Sequence, residues 1–164
     1  GTLIALDGAN RFLAGKDGFS LKTKSSDKKD DDKKEDEESK LKVYADSERD
    51  YSINSNPGSI FQVSMDKTHP LAFGYGDEYM SLKLGSSAYE YLENGWNVGV
   101  AKKGSSRSGF VGYKAKEKLE ESLSFGVQNM GSGAVVYMID NPLFRGFWHN
   151  GKLLFGNAVF FVGN

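Results

Sequence analysis

Asp7 and Asp140 each stand one step beyond a short apolar run, Leu3-Ile4-Ala5-Leu6 in the first case and Ala134-Val135-Val136-Tyr137-Met138-Ile139 in the second. If the two runs are neighbouring parallel strands, both carboxylates lie at their carboxyl edge, where open α/β sheets collect ligands. Aspartates at strand ends also cap the following turn through a side-chain oxygen, and this is the preferred reading of the pair. Arg145 stands between Phe144 and Phe147-Trp148, and guanidinium and aromatic faces both suit a carboxylate or a sugar. The alternative is a buried structural arginine bonded to loop carbonyls. Asp7, Asp140, Arg145 and Trp148 are thus the candidate ligand-binding or structural residues, and no catalytic or metal-ligating residue is assigned.

Other chemistries find less material. The chain has no cysteine, which removes thiolate nucleophiles, disulfides and cysteine-ligated zinc. Its two histidines are isolated: His69 precedes Pro70 in a turn, where a backbone hydrogen bond is the expected role, and His149 follows Trp148. The stretch Gly104-Ser105-Ser106-Arg107-Ser108-Gly109 lacks the Lys-Ser/Thr ending of a phosphate loop and reads as a flexible connection. A hydrolase using Asp7 or Asp140 is the lowest-ranked reading, because no nucleophile, base and orienting group can be assembled.

The elements that must position these residues follow from composition. At 164 residues the chain fits one domain. From Lys22 to Lys40, 15 of 19 positions are lysine or acid, so this run is expected to be a disordered charged excursion that cannot offset the entropy of ordering. The remainder holds 14 basic and 14 acidic residues, a balance that argues against nucleic-acid or anionic-membrane partners. No run of about 18 apolar residues is present to insert into a membrane.

Leu3–Leu6 reads as a strand, followed by a tight turn at Asp7–Asn10, a short helix over Arg11–Ala14 and a glycine stop at Gly15. Gly1 and Thr2 lead into it without a leader, and buried strands usually have neighbours on both sides, which points to further sequence upstream. Ser59–Met65 alternates as a half-buried strand, Glu78–Leu84 suggests another, Ala88–Leu92 is ambiguous, and Asn97–Ala101 reads as a third. Ala115–Leu123 has helix-forming composition, with extended structure returning over Phe125–Gln128. Ala134–Ile139 is apolar throughout and suits a central strand covered on both faces. Asn150–Val162 is expected to be a buried terminal helix capped by Asn150, with Leu154, Ala158, Phe161 and Val162 on one face and Leu153 and Phe160 beside them.

Three stretches together, GTLIALDGANRFL, PGSIFQVSMDKTHPLAFGYG and GSGAVVYMIDNPLFRGFWHNGKLLFGNAVFF, resemble the class I glutamine amidotransferase-like domain, in the version found at the C-terminal end of large bacterial zinc carboxypeptidases. The resemblance rests on Pro142, Phe144, Arg145, Leu153, Leu154, Asn157 and Ala158, and covers most of the chain outside the charged run. It implies an α/β, flavodoxin-like sheet with flanking helices, of which residues 1–164 form the C-terminal part only, the N-terminal half being missing. The glutamine-hydrolysing activity of that family needs a cysteine that this chain lacks. A carboxypeptidase of the resembled type binds zinc through His-x-x-Glu and a distant histidine, and neither His69 nor His149 has a glutamate three residues on. The resemblance therefore implies a non-catalytic accessory domain of a secreted or periplasmic zinc metallocarboxypeptidase. Its zinc and its proteolysis would belong to the catalytic domain of the same polypeptide, which is the implied partner. Families that share this arginine have no common substrate, which favours the structural reading of Arg145. A free-standing small-molecule or carbohydrate-binding module of the same fold is the alternative.

Overall fold

Six strands and four helices build a mixed α/β architecture, described by a computed structural model over residues 1–24 and 43–163. The strands are β1 (Thr2–Leu6), β2 (Gly58–Met65), β3 (Glu78–Lys83), β4 (Trp96–Phe110), β5 (Ser122–Met130) and β6 (Gly133–Met138). They form one sheet in the order β1-β6-β5-β4-β2-β3. Only β1 and β6 run parallel; the other four ladders are antiparallel. Helices α1 (Gly8–Leu13), α2 (Ser47–Asn54), α3 (Tyr113–Leu119) and α4 (His149–Phe160) flank the sheet.

Alternation dictates the sheet's two sides. In β2, Ser59, Phe61, Val63 and Met65 are buried while the residues between them are partly exposed, the period of a strand with one covered face. β6 is buried at every position from Ala134 to Met138, because both of its faces carry a layer. Val136 and Met138 join Leu154, Ala158 and Val162 of the α4 side; Val135 and Tyr137 join Leu13, Leu21 and Tyr89 of the α1 side. β6 lies one strand in from the edge rather than in the middle, and β1 is the edge itself.

The Gly104–Gly109 stretch is not a loop. It continues β4 to fifteen residues and pairs with the first half of β2. The ladder accommodates its extra residues as bulges between Ile60 and Val63, with Gly104 and Gly109 at φ 74° and 86° supplying turns that a side chain would strain. Bulges raise local twist and bend the strand, which accounts for a strongly curled sheet. Helix α3 is shorter than its composition suggests, because Ser122 and Leu123 are taken into β5.

The terminal helix forms where expected but is covered differently. Leu154 and Ala158 are fully buried, whereas Leu153, Phe160 and Phe161 are 45%, 69% and 51% exposed. Asn150 is inside the helix; Trp148 holds the cap position, with no side-chain cap bond. Instead the Tyr75 hydroxyl accepts from the Leu154 amide at 2.8 Å and donates to the Asn150 carbonyl. Gly151 is required here: a Cβ would lie 1.9 Å from the Pro142 carbonyl oxygen, so the first turn of α4 can press against the chain leaving β6 only without one. Asn157, also buried, donates to the carbonyls of Leu71 and Phe73 at 3.0 and 2.7 Å and fastens the helix to the Pro70–Ala72 turn.

Of the charged run over residues 22–40, residues 25–40 lie outside the described residues. Its first three residues belong to the folded unit: Thr23 bridges to Tyr89, Lys22 pairs with Glu93 at 2.8 Å, and the Lys24 ammonium donates to the carbonyls of Glu120 and Glu121.

Candidate site at the carboxyl ends of β1 and β6

The parallel register Leu6↔Met138 brings Asp7 and Asp140 to the same end of adjacent strands. The tight turn after β1 depends on Asn10, which is fully buried and donates to the carbonyls of Met138, Asp7 and Ala5 at 2.7, 3.2 and 3.3 Å. Asp7 precedes α1 with φ 44° and makes no side-chain cap bond, so it is not the capping residue the sequence suggests. After β6 the turn is held by Asn141, whose Oδ1 accepts from the Leu143 amide at 2.9 Å.

Asp140 is thereby released from capping and used elsewhere. Its carboxylate accepts from the Lys83 ammonium at 2.9 Å to Oδ2 and 3.2 Å to Oδ1, and from the Ser81 hydroxyl at 2.6 Å. Lys83 also reaches the Ser124 hydroxyl at 3.3 Å and stands 5.8 Å from the centre of the Phe61 ring. Side-chain exposure is 2% for Lys83 and 9% for Asp140, so this is a buried ion pair, and each charge depends on the other.

The partners come from opposite ends of the sheet. β3 is the edge strand farthest from β1, yet Lys83 and Ser81 touch Asp140, two residues beyond β6. The sheet curls until its far edge meets the carboxyl ends of its near strands, and the pair closes the curl. Trp148 reinforces the closure by donating from Nε1 to the Met80 carbonyl at 3.3 Å. Leu82 and Leu84 of this edge, with Asp7, Asp140 and Phe144, line a hollow with room for about one water molecule.

Arg145 is exposed rather than buried, sits at φ 49°, and stacks over Phe144 with 5.2 Å to the ring centre. Phe144, Phe147 and Trp148 follow as edge-to-face neighbours at 5.8 and 6.4 Å. Arg145 is thus an outward group on an aromatic loop.

His69 has the backbone role expected of it: Nδ1 accepts from the Leu71 amide at 3.1 Å. Burial holds its imidazole below the ordinary value, with nearby Asp66 acting in the opposite direction. His149 is exposed, 3.3 Å from the Lys152 ammonium. Among the described residues, no three His, Asp or Glu side chains converge to hold a metal ion, and no helix is long and apolar enough to cross a membrane.

The residues that sequence reasoning missed are Lys83, Ser81 and Ser124. A signal existed: Tyr79, Ser81 and Lys83 share one phase of β3, and Tyr79 is in the core, so the lysine in phase with it is directed inward.

Comparison with known proteins supplies no assignment, since no family model, curated protein or solved structure matches this chain.

Proposed function

We propose that this chain is a non-catalytic accessory domain, the C-terminal part of a glutamine amidotransferase-like unit at the end of a secreted zinc metallocarboxypeptidase, and that it acts by packing against the catalytic domain of the same polypeptide. The observation that carries the non-catalytic reading is the state of Asp140. The strand-end carboxylate best placed for chemistry is occupied by Lys83 and Ser81 and nearly buried. A general base or nucleophile must reach its substrate, and this one reaches only its own fold. Support for the finer fold reading comes from the β1–β6 parallel pair, with a carboxylate at the end of each strand and α1 and α4 on opposite faces. The antiparallel ladders from β6 through β5 to β3 are where the sheet departs from a fully parallel, doubly wound one.

The test is the coding sequence immediately upstream in the same frame. A His-x-x-Glu pair, a later histidine and a signal peptide are expected; a start codon directly before Gly1 would sink the proposal. In the parent enzyme, Asp140→Asn should lower the unfolding temperature and leave the kcat for peptide hydrolysis unchanged.

One observation favours the small-molecule reading. An open hollow of about 470 Å³ lies beside Lys67, His69, Pro70, Phe73 and Phe161, with Phe73 and Phe161 edge to face at 5.5 Å. Calorimetric titration with sugars and small carboxylates tests it: heat of binding that Phe73→Ala abolishes would establish this reading, and no heat at millimolar ligand would remove it.

A further inference from the structure

The hollow beside His69 is built on a fixed frame. Buried Asn157 of α4 holds the carbonyls of Leu71 and Phe73, so the Pro70–Ala72 turn is fastened to the helix on which the hollow borders. Phe73 closes that turn and Phe161 follows the last residue of α4, and their rings stand edge to face with 5.5 Å between centres. They are 64% and 51% exposed, which makes an apolar corner at the surface. A site held in place before its ligand arrives loses less entropy on binding.

The polar side of the same hollow presents donors. The His69 Nδ1 is engaged as an acceptor from the Leu71 amide, so the neutral ring carries its proton on Nε2. Burial keeps that ring in the neutral form. The Lys67 ammonium gives one proton to Asp77 at 2.8 Å and keeps two more. Exposed pairs of this kind are weak, and the ammonium remains able to hold a second anion. The Asp66 carboxylate is occupied by its own turn, where Oδ1 accepts from the Thr68 amide and hydroxyl at 3.0 and 2.6 Å. The lining consists of Lys67, Thr68, His69, Pro70, Phe73 and Phe161, with no Asp, Glu, Asn or Gln side chain among them.

We propose that this hollow is a binding site for a small aromatic carboxylate, its ring against Phe73 and Phe161 and its carboxylate on the Lys67 ammonium and the His69 Nε2–H. The inference rests on the small-molecule reading of the hollow and names the class of ligand. Two rings in edge-to-face contact offer a third ring both a face and an edge to pack on. A cation and a ring N–H with no carboxylate in the lining favour an anion, whose charge strengthens each hydrogen bond. A neutral sugar needs acceptors as well as donors for its hydroxyls, and the carboxylate and amide side chains that supply them are absent from the lining. At about 470 Å³ the hollow has the size of a small-molecule site, with an apolar wall for affinity and a few polar groups for selection.

The experiment titrates the isotope-labelled 164-residue chain with phenylacetate, its neutral partner phenylacetamide, and methyl glucoside, and follows the amide resonances. Phenylacetate should shift the amides of Thr68, Leu71 and Phe73 saturably, and phenylacetamide should bind at least about tenfold more weakly. Lys67→Gln should weaken phenylacetate about threefold to tenfold and leave phenylacetamide unchanged, whereas Phe73→Ala should weaken both. Both side chains are exposed, so the two variants should melt with the wild type. Equal binding of acid and amide, or tighter binding of the glucoside, overturns the carboxylate proposal and keeps the small-molecule reading. No saturable shift from any of the three at millimolar concentration overturns both. Shifts at Phe73 and Phe161 that follow protein concentration without ligand also overturn the proposal, in favour of self-association through this face.

Discussion

The two edges of this sheet have opposite fates. β3 carries Glu78 and Lys83, lends its Met80 carbonyl to Trp148, and is tied through Lys83 and Ser81 to Asp140 just beyond β6. β1 is uncharged and regular, and among the described residues no strand pairs with its outer side. An edge that is folded in and clasped is shielded from other strands, while a regular, uncharged edge keeps its outward donors and acceptors able to pair. The difference teaches that the same aspartate position does not carry the same meaning on adjacent strands. Asp140, beyond the end of β6, is drawn into the closure of the curl by an ion pair; Asp7, after β1, lines the hollow beside Leu82 and Leu84 of the same edge but among the described residues pairs with no cation there.

The comparison breaks most severely at Lys83. Replacing it with methionine leaves the Asp140 carboxylate nearly buried and uncompensated, and unfolding in urea should show a loss of about 3–5 kcal/mol. Trp148→Phe keeps an aromatic ring but removes the donor to Met80, so the β3 edge should loosen at a cost of about 1 kcal/mol in the same assay.

A pH effect comes next. The His69 imidazole is held below its ordinary value by burial, so the folded state prefers it neutral and an unfolded chain binds its proton first. Stability from this residue is full above the ordinary value of 6.5 and declines as the pH falls below it. Melting curves at about pH 7.5 and about pH 5.5 should show a drop that His69→Asn, which retains an acceptor for the Leu71 amide, makes smaller. The smallest effect belongs to the β1 edge: Leu3→Lys should change the stability of the isolated chain by no more than about 0.5 kcal/mol, because nothing among the described residues covers that side chain fully.

Much of the fold was legible because it rests on local periodicity. The alternation of Phe61, Val63 and Met65, the unbroken apolar run of β6 and the glycine stop after α1 are each written within a few residues. What was not legible depends on distant partners. Gly104–Gly109 reads as a loop by composition, and only pairing with Gly58–Phe61 makes it a strand. Helical phase places Phe161 on the buried face with Leu154 and Ala158, yet α4 ends at Phe160, and Phe161, which follows it at φ -118°, is 51% exposed. At the candidate site, the meeting of Asp7 and Asp140 followed from two parallel strands. The use of Asp140 did not, because its cation lies 57 residues away on the opposite edge and arrives only once the bulges of β4 have bent the sheet.

The central claim is that Lys83 and Asp140 form a structural closure rather than an active site, and a double-mutant cycle on their unfolding free energies tests it most directly. Lys83→Met and Asp140→Asn should each cost about 3–5 kcal/mol, and the double variant, which leaves no unpaired charge, should cost less than the two single losses combined by well over 1 kcal/mol. Single variants within about 0.5 kcal/mol of the wild type, or a double variant that simply adds the two losses, would contradict it.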